Sequence, residues 1–256
     1  MPDGSTPRAS YDSIAHLYDV DMGLNMAFND VALYKQLAQD ANGRVLELGC
    51  GNGRILLELL ELGIDAIGAD CSPRMLSLLR QKAVARGIAS QVCLMDARAL
   101  GFTETFSLVL CPYSLITYMT GSGDAERMLA AMRGVLAPGA TIVVDAFIPR
   151  ATAVHADFSL DYRRAHRDGV LTRSKRVAAI APSINRIERR YELVSTDGQV
   201  LERIDTREDV RLYAPGDLVA LLSEAGFAIE RQWWDYKAGD RAAAAQFFTI
   251  SARKAT

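Results

Sequence analysis

VLELGCGNGR occupies residues 45–54, a short apolar run that passes directly into three glycines at alternate positions, Gly49, Gly51 and Gly53. Glycine takes left-handed backbone without steric cost and lets a ligand approach the main chain closely. A strand that ends in such a loop therefore reads as the floor of a nucleotide site. The dinucleotide fingerprint G-x-G-x-x-G puts its third glycine where the next helix packs on the strand. That position here is Arg54. Its side chain would crowd the approach, so a nicotinamide dinucleotide is disfavoured.

Working outward, residues 44–147 alternate apolar runs with helical patterns. RVLELG, IDAIGAD, QVCLMD, FSLVLCP and ATIVVDAF read as five strands, the last entered through the turn APG. Ile55 to Leu62, SPRMLSLLRQKAVARG and GDAERMLAAMRGVL read as helices. Ser72 is a suitable N-cap, and Pro73 at the first helical position loses nothing by lacking its N–H. Such alternation implies a parallel sheet with helices on both faces. Residues 150–213 lose the helical period. VLTRSKRVAAI, NRIERRYELV and QVLERIDTREDVRLY read as exposed strands, with Asp197-Gly198 as a hairpin turn. This segment is expected to be an antiparallel β insert. The helix APGDLVALLSEAG and the closing strands FAIERQWWDY and QFFTISARK then complete the sheet. The expected division is a tail with lid helices over 1–43, a ligand-binding domain over 44–149 and 214–256, and the insert over 150–213. The first ten residues read as a disordered tail. Tyr11, Tyr18, Phe28 and Tyr34 lie on the helices that follow. For Tyr11 and Tyr18, a lid and a packed helix without ligand contact are equal readings.

With 256 residues, half of them hydrophobic, the chain can bury one sizeable core and an elaboration. A formal charge of −2 argues against a general nucleic-acid binder. No apolar run reaches a membrane span and no signal peptide opens the sequence. Cys50, Cys71, Cys93 and Cys111 form no CxxC pair and are expected to be buried free thiols, in a reducing, cytoplasmic setting.

The pattern E-x-G-x-G-x-G, from Glu47 to Gly53, resembles motif I of the class I S-adenosylmethionine-dependent methyltransferases. Asp70 in GAD, Asp96-Ala97 in LMDAR, VLCPYSLITYM over 109–119 and LAPGATIVVDAF follow in the order of that family's further motifs. The resemblance implies a Rossmann-like seven-stranded α/β sheet flanked by helices, with the antiparallel insert after strand five. It implies S-adenosylmethionine as cofactor, Asp70 accepting from the ribose hydroxyls and Asp96 from the adenine amino group. Donor contacts are expected from Tyr11, Tyr18, Glu47, Gly49, Cys50, Gly51, Arg54, Cys71, Met75, Ala97 and Cys111. Arg54 stays open between a surface role and the methionine carboxylate. Glu47 stays open between the loop backbone and the ligand.

Enzymes that methylate amines of DNA bases carry an Asp or Asn and two prolines in motif IV; this chain has Cys111, Pro112, Tyr113 and Ser114. Arg163, Arg164, Arg189 and Arg190 are interleaved with Asp161, Glu188 and Glu192, which reads as solvated strands. The opening YDSIAHLYD, with the insert, resembles small-molecule methyltransferases of bacterial secondary metabolism, above all those acting on amino groups of nucleotide-linked sugars. That implies N-methylation of a small molecule, with O- or C-methylation second and donor binding without transfer third. It also implies an insert that caps the acceptor and pairs subunits in a homodimer, with no nucleic-acid or membrane partner. Tyr113 is the first catalytic candidate, followed by Tyr18 and His16. Tyr118, Phe147 and His155 are expected at the acceptor, as is Tyr113. No cluster has metal-ligand spacing, so transfer is expected to need no metal, although Asp145 lies where metal-dependent relatives place ligands.

Overall fold

The most continuous apolar runs form the centre of a sheet. The structure, a computed structural model, describes residues 7–22, 28–149, 154–241 and 243–255, so most of the short N-terminal tail lies outside the described residues. The elements are α1 (Pro7–Ile14), α2 (Tyr18–Met22), α3 (Asp30–Asp40), β1 (Val45–Leu48), α4 (Leu56–Glu61), β2 (Ala66–Asp70), α5 (Pro73–Ala85), β3 (Gln91–Leu94) and β4 (Phe106–Cys111). They continue with α6 (Asp124–Val135), β5 (Leu136–Phe147), β6 (His155–His166), β7 (Gly169–Ala181), β8 (Ile184–Val194), β9 (Val200–Arg211), α7 (Pro215–Glu224), β10 (Phe227–Trp234) and β11 (Phe247–Lys254). The chain divides into two compact units, one of residues 28–148 and 213–256, the other of 1–27 and 149–212. The N-terminal segment read as one element over 1–43 is thus shared between them.

The larger unit holds seven strands in the order β10-β11-β5-β4-β1-β2-β3. Six run in one direction, and β11 enters antiparallel between β5 and β10. β1 pairs with β2 on one side and β4 on the other, so the winding reverses there. In open α/β sheets ligands bind outside the carboxyl ends of the strands at such a switch point. Every residue of β1 is buried. Leu46, Leu48, Val109, Ile142 and Val144 pack with Met128, Leu129 and Met132 of α6 and Leu218 and Leu222 of α7. Ser72 caps α5 by accepting from the Met75 N–H at 3.1 Å.

Two expectations are corrected. APG is no turn ahead of β5 but part of it. Leu136 pairs with Phe106, then the register slips to set Thr141 opposite Leu108, with Gly139 at φ +71°. The extra residues form a bulge. The thiols are also not uniformly buried. Cys50 and Cys111 are, but Cys93 on edge strand β3 is half-buried, and Cys71, just past the end of β2, is exposed.

The smaller unit contains an antiparallel sheet in the order β6-β7-β8-β9. β6 was not recognised in the sequence, although residues 157–162, DFSLDY, alternate polar and apolar. The Arg and Glu interleaving is a matter of register. Arg176 faces Glu188, Arg186 faces Asp209, Arg190 faces Asp205 and Glu192 faces Arg203, and each pair forms an ion pair. Cross-strand charge pairs of this kind contribute about 0.2–1 kcal/mol each. A small core of Ile14, Leu17, Leu171 and Tyr191 joins α1 and the turn after it to the sheet. Asp21 on α2 is buried, accepts from Tyr162 Oη at 2.5 Å and Tyr191 Oη at 3.3 Å, and pairs with Arg173. Arg164 donates to the carbonyls of Val20 and Asp21. No helix among the described residues is long and apolar enough to cross a membrane.

Asp21→Ala leaves the Tyr162 and Tyr191 phenols without their acceptor, while Arg173 keeps Asp161 at 2.6 Å. It is expected to lower stability by roughly 2 kcal/mol, the cost of leaving buried donors unsatisfied. Urea denaturation of the full chain measures this; a loss under about 0.5 kcal/mol, the scale of an ordinary surface change, would refute it.

Candidate active site

The loop after β1 is built by its glycines. Gly49, Gly51 and Gly53 have φ of +67°, +54° and +88°, a region side chains rarely enter. Their packing differs. A Cβ on Gly53 would stand 2.8 Å from Leu57 and 2.9 Å from Leu79, so Gly53 takes the close helix approach that the dinucleotide fingerprint gives to the next position. A Cβ on Gly49 would meet Leu115 at 3.1 Å, whereas one on Gly51 would meet only the Gly49 carbonyl at 3.9 Å. The loop is thus closed behind and open at Gly51. Asp70 fixes it to β2. Its Oδ2 accepts from the Gly51 N–H at 2.8 Å and its Oδ1 from the Ser72 N–H at 2.7 Å.

Arg54 points its guanidinium at Asp30, the first residue of α3, with two contacts of 2.8 and 2.7 Å. Asp30 is 1% exposed. The cation therefore sits in a buried fork pair, and also lies 5.7 Å from the centroid of the Tyr113 ring. Glu47 is buried beneath the loop. One carboxyl oxygen accepts from the Leu56 N–H, and Oε2 has no hydrogen-bond partner among the described residues. Burial pushes its carboxyl up to about 8, against the pull of Arg54, so it is mostly protonated at neutral pH.

After β4 the chain makes a turn that ordinary residues resist. Tyr113 and Ser114 have φ of +55° and +59°, at about 1–2 kcal/mol each. Asp145 on β5, fully buried, offsets this. It accepts from Tyr113 N at 2.9 Å and from Ser114 N, and also from Tyr34 Oη at 2.5 Å and Tyr236 Oη at 2.9 Å. Burial pushes the Asp145 carboxyl up, while these donors hold it down. Four donors and no acceptor around it favour the carboxylate form. Burial and the Asp145 charge raise both phenols well above their usual range, which keeps them as donors. The position flagged for a cation is thus filled by hydrogen-bond donors, and no group of three or more metal-ligating side chains occurs among the described residues. A second turn, Asp235-Tyr236, is likewise left-handed, at φ +49° and +63°. Asp235 Oδ1 accepts from Gln246 N at 2.8 Å and Phe247 N at 2.9 Å. Phe247 in turn stacks on Tyr113 with centroids 6.4 Å apart.

The structure brings Glu47, Gly49, Gly51, Arg54, Asp70 and Tyr113 to the switch-point end of the sheet. Cys50, Met75 and Cys111 have core side chains and offer backbone there. Cys71 is exposed and Ala97 half-buried. Asp96 is exposed and held by Arg98, which also reaches Asp124; Arg98 pulls the Asp96 carboxyl down, against a smaller effect of burial. Tyr118 packs half-buried against the main core, and Phe147 donates its N–H to Ser114 Oγ at 2.9 Å. The other candidates belong to the smaller unit. Tyr11 and Tyr18 meet edge to face at 6.0 Å. His16 pairs with Glu202 at 2.9 Å, and His155 Nδ1 lies 3.1 Å from the Asp157 carbonyl. Asp30, Tyr236 and Phe247 were missed. Only the Asp-Tyr pair directly after an aromatic strand hinted at a tight turn.

The open backbone at Gly51 and the Asp70 carboxylate thus lie together at this end of the sheet. Residues 45–139 match the family model described as "Methyltransferase domain". That part of the chain carries a methyltransferase domain. A demethylmenaquinone methyltransferase of Thermus thermophilus is 34% identical over 158 residues, 60% of this chain and 66% of that protein, just under two thirds of its length. An S-adenosylmethionine-dependent methyltransferase of Clostridium acetobutylicum superposes with a TM-score of 0.80 at 17% identity, over 96% of this chain and 99% of its own. The sugar N-methyltransferase KedS8 of Streptoalloteichus gives 0.73 at 22% identity, over 94% and 92%. These two likenesses establish the fold.

Asp70→Ala removes the anchor of the loop and the carboxylate that the sequence resemblance assigns to the ribose diol. Affinity for S-adenosylhomocysteine is expected to fall at least tenfold, or about 1.4 kcal/mol, by titration calorimetry; unchanged affinity would detach Asp70 from the donor. Glu47 gives a pH signature. Its folded value of about 8 lies above the ordinary 4.5. Between those values the native state holds a proton that the unfolded chain has lost, so stability falls as pH rises, by up to about 1.4 kcal/mol per unit. Glu47→Gln should flatten that slope. Equal slopes for both proteins between pH 5 and 8 would show that Glu47 is ionised in the fold.

Proposed function

We propose that this chain transfers the methyl group of S-adenosylmethionine to an amine nitrogen of a small secondary metabolite, without a metal, in the cytoplasm and as a homodimer joined through the insert. The observation that carries the choice of acceptor is the extent of the likeness to the sugar N-methyltransferase. It spans 94% of the chain and so continues through the four-stranded insert.

The bound donor supplies a methyl group activated on a sulfonium. The protein's part is alignment, since oriented reactants reach effective molarities of about 10⁵–10⁸ M. The glycine loop and Asp70 fix the donor's nucleoside end. The Tyr113 ring, wedged between Phe247 and the Arg54 guanidinium, forms a rigid wall on the acceptor side. Its hydroxyl orients the amine so that the lone pair, once the nitrogen has lost its proton, faces the methyl. Tyr118 and Phe147 shape the acceptor space.

Transfer to carbon or oxygen is the second reading. It is favoured by the 34% identity with the demethylmenaquinone methyltransferase over 158 residues. Methyl-labelled donor is to be incubated with amino sugars, their hydroxyl analogues and quinols. Label on nitrogen of an amino sugar is the expected outcome. Label on carbon or oxygen alone would replace the first reading by the second. Tight donor binding with no labelled product from any acceptor would favour a binding protein over a transferase.

A further inference from the structure

We infer that Asp145 is the positioning residue for the acceptor-side turn, setting the place of the Tyr113 ring through the backbone N–H groups of Tyr113 and Ser114 and through the phenols of Tyr34 and Tyr236. The inference rests on the proposed transfer reaction for its kinetic part only. Asp145 contacts none of the residues that shape the donor loop among its hydrogen bonds. Its partners come from α3, from the turn after β4 and from the turn after β10, three places far apart in sequence.

The geometry gives one carboxylate two tasks. It holds two successive residues with side chains in left-handed backbone, which relax toward ordinary φ when their N–H groups lose an acceptor. It also ties that turn to the Asp235-Tyr236 turn, whose Asp235 orders the start of β11 and so places Phe247, the ring against Tyr113. Both routes end at the same ring. A carboxylate accepts from about four directions, whereas a carboxamide accepts at one oxygen and adds two donors of its own. Asp145→Asn therefore preserves shape but not function.

The test compares wild type, Asp145→Asn and the double variant Asp145→Asn/Ser114→Gly. Hydrogen–deuterium exchange over residues 112–116, affinity for S-adenosylhomocysteine and kcat are read together. In Asp145→Asn the expected result is at least tenfold faster exchange in that segment, a kcat at least tenfold lower and a donor Kd within threefold of wild type. Adding glycine at 114 should recover part of kcat, because glycine takes the left-handed turn without help. Donor affinity falling in step with kcat, unchanged exchange, or no recovery in the double variant would each overturn the positioning role. If Asp145→Asn does not fold, Tyr236→Phe takes its place, with an expected threefold or larger loss of kcat at constant donor Kd; loss of donor affinity instead would overturn the inference. If wild type transfers methyl to no acceptor, the proposed function fails, while the exchange measurement still decides the inference.

Discussion

A single buried carboxylate, Asp145, sets the limits for the end of the sheet where chemistry is possible. A charge with no solvent around it is tolerated only if its lone pairs are filled, and here two amides and two phenols fill them. Those four donors lie on segments that would otherwise have no reason to meet. The cost of desolvating the carboxylate thus becomes a constraint on where α3, the turn after β4 and the turn after β10 lie. The same logic holds for the fork between Arg54 and Asp30, which secures the start of α3 to the glycine loop.

The glycine loop and this carboxylate divide the labour by chemistry. The loop is made of backbone, with its packing glycine at 53 and its open glycine at 51. Backbone suits a donor whose shape never changes. The turns gathered around Asp145 are instead made of aromatic side chains, Tyr113, Phe247 and Tyr236, held by hydrogen bonds to acids. Side chains are the part of a site that can be exchanged to suit a different metabolite.

Much of the larger unit was legible in the sequence because local rules agree with the fold there. VLELG is apolar but for Glu47 and became a fully buried strand, and Ser72-Pro73 began a helix where a cap and a first-turn proline should. Gly226, at φ +81°, ended α7 as its place after the last turn required. Other features were illegible for physical reasons. β6 is hard to read because its alternation over DFSLDY is short and its register slips twice against β7, between His155 and Ser159 and between Leu160 and Tyr162. APG looks like a turn and is a bulge, because the neighbouring strand, not the tripeptide, decides its register. Asp30, Tyr34 and Tyr236 gain their meaning from partners tens to hundreds of residues away. No spacing rule links Tyr34 to Asp145 across 111 positions.

The smaller unit also has a consequence in time. Its helices come from the first residues of the chain, but their partners come from the end of the insert: Ser10 bonds to the carbonyl of Arg207, 197 positions on, and Asp21 to Tyr191, 170 positions on. A ribosome adding about 5–20 residues per second needs on the order of ten to forty seconds to cover that distance. Over that interval the apolar face of Ile14 and Leu17 has no sheet to cover it. The unit is begun first and cannot close until its last strand, β9, has been made.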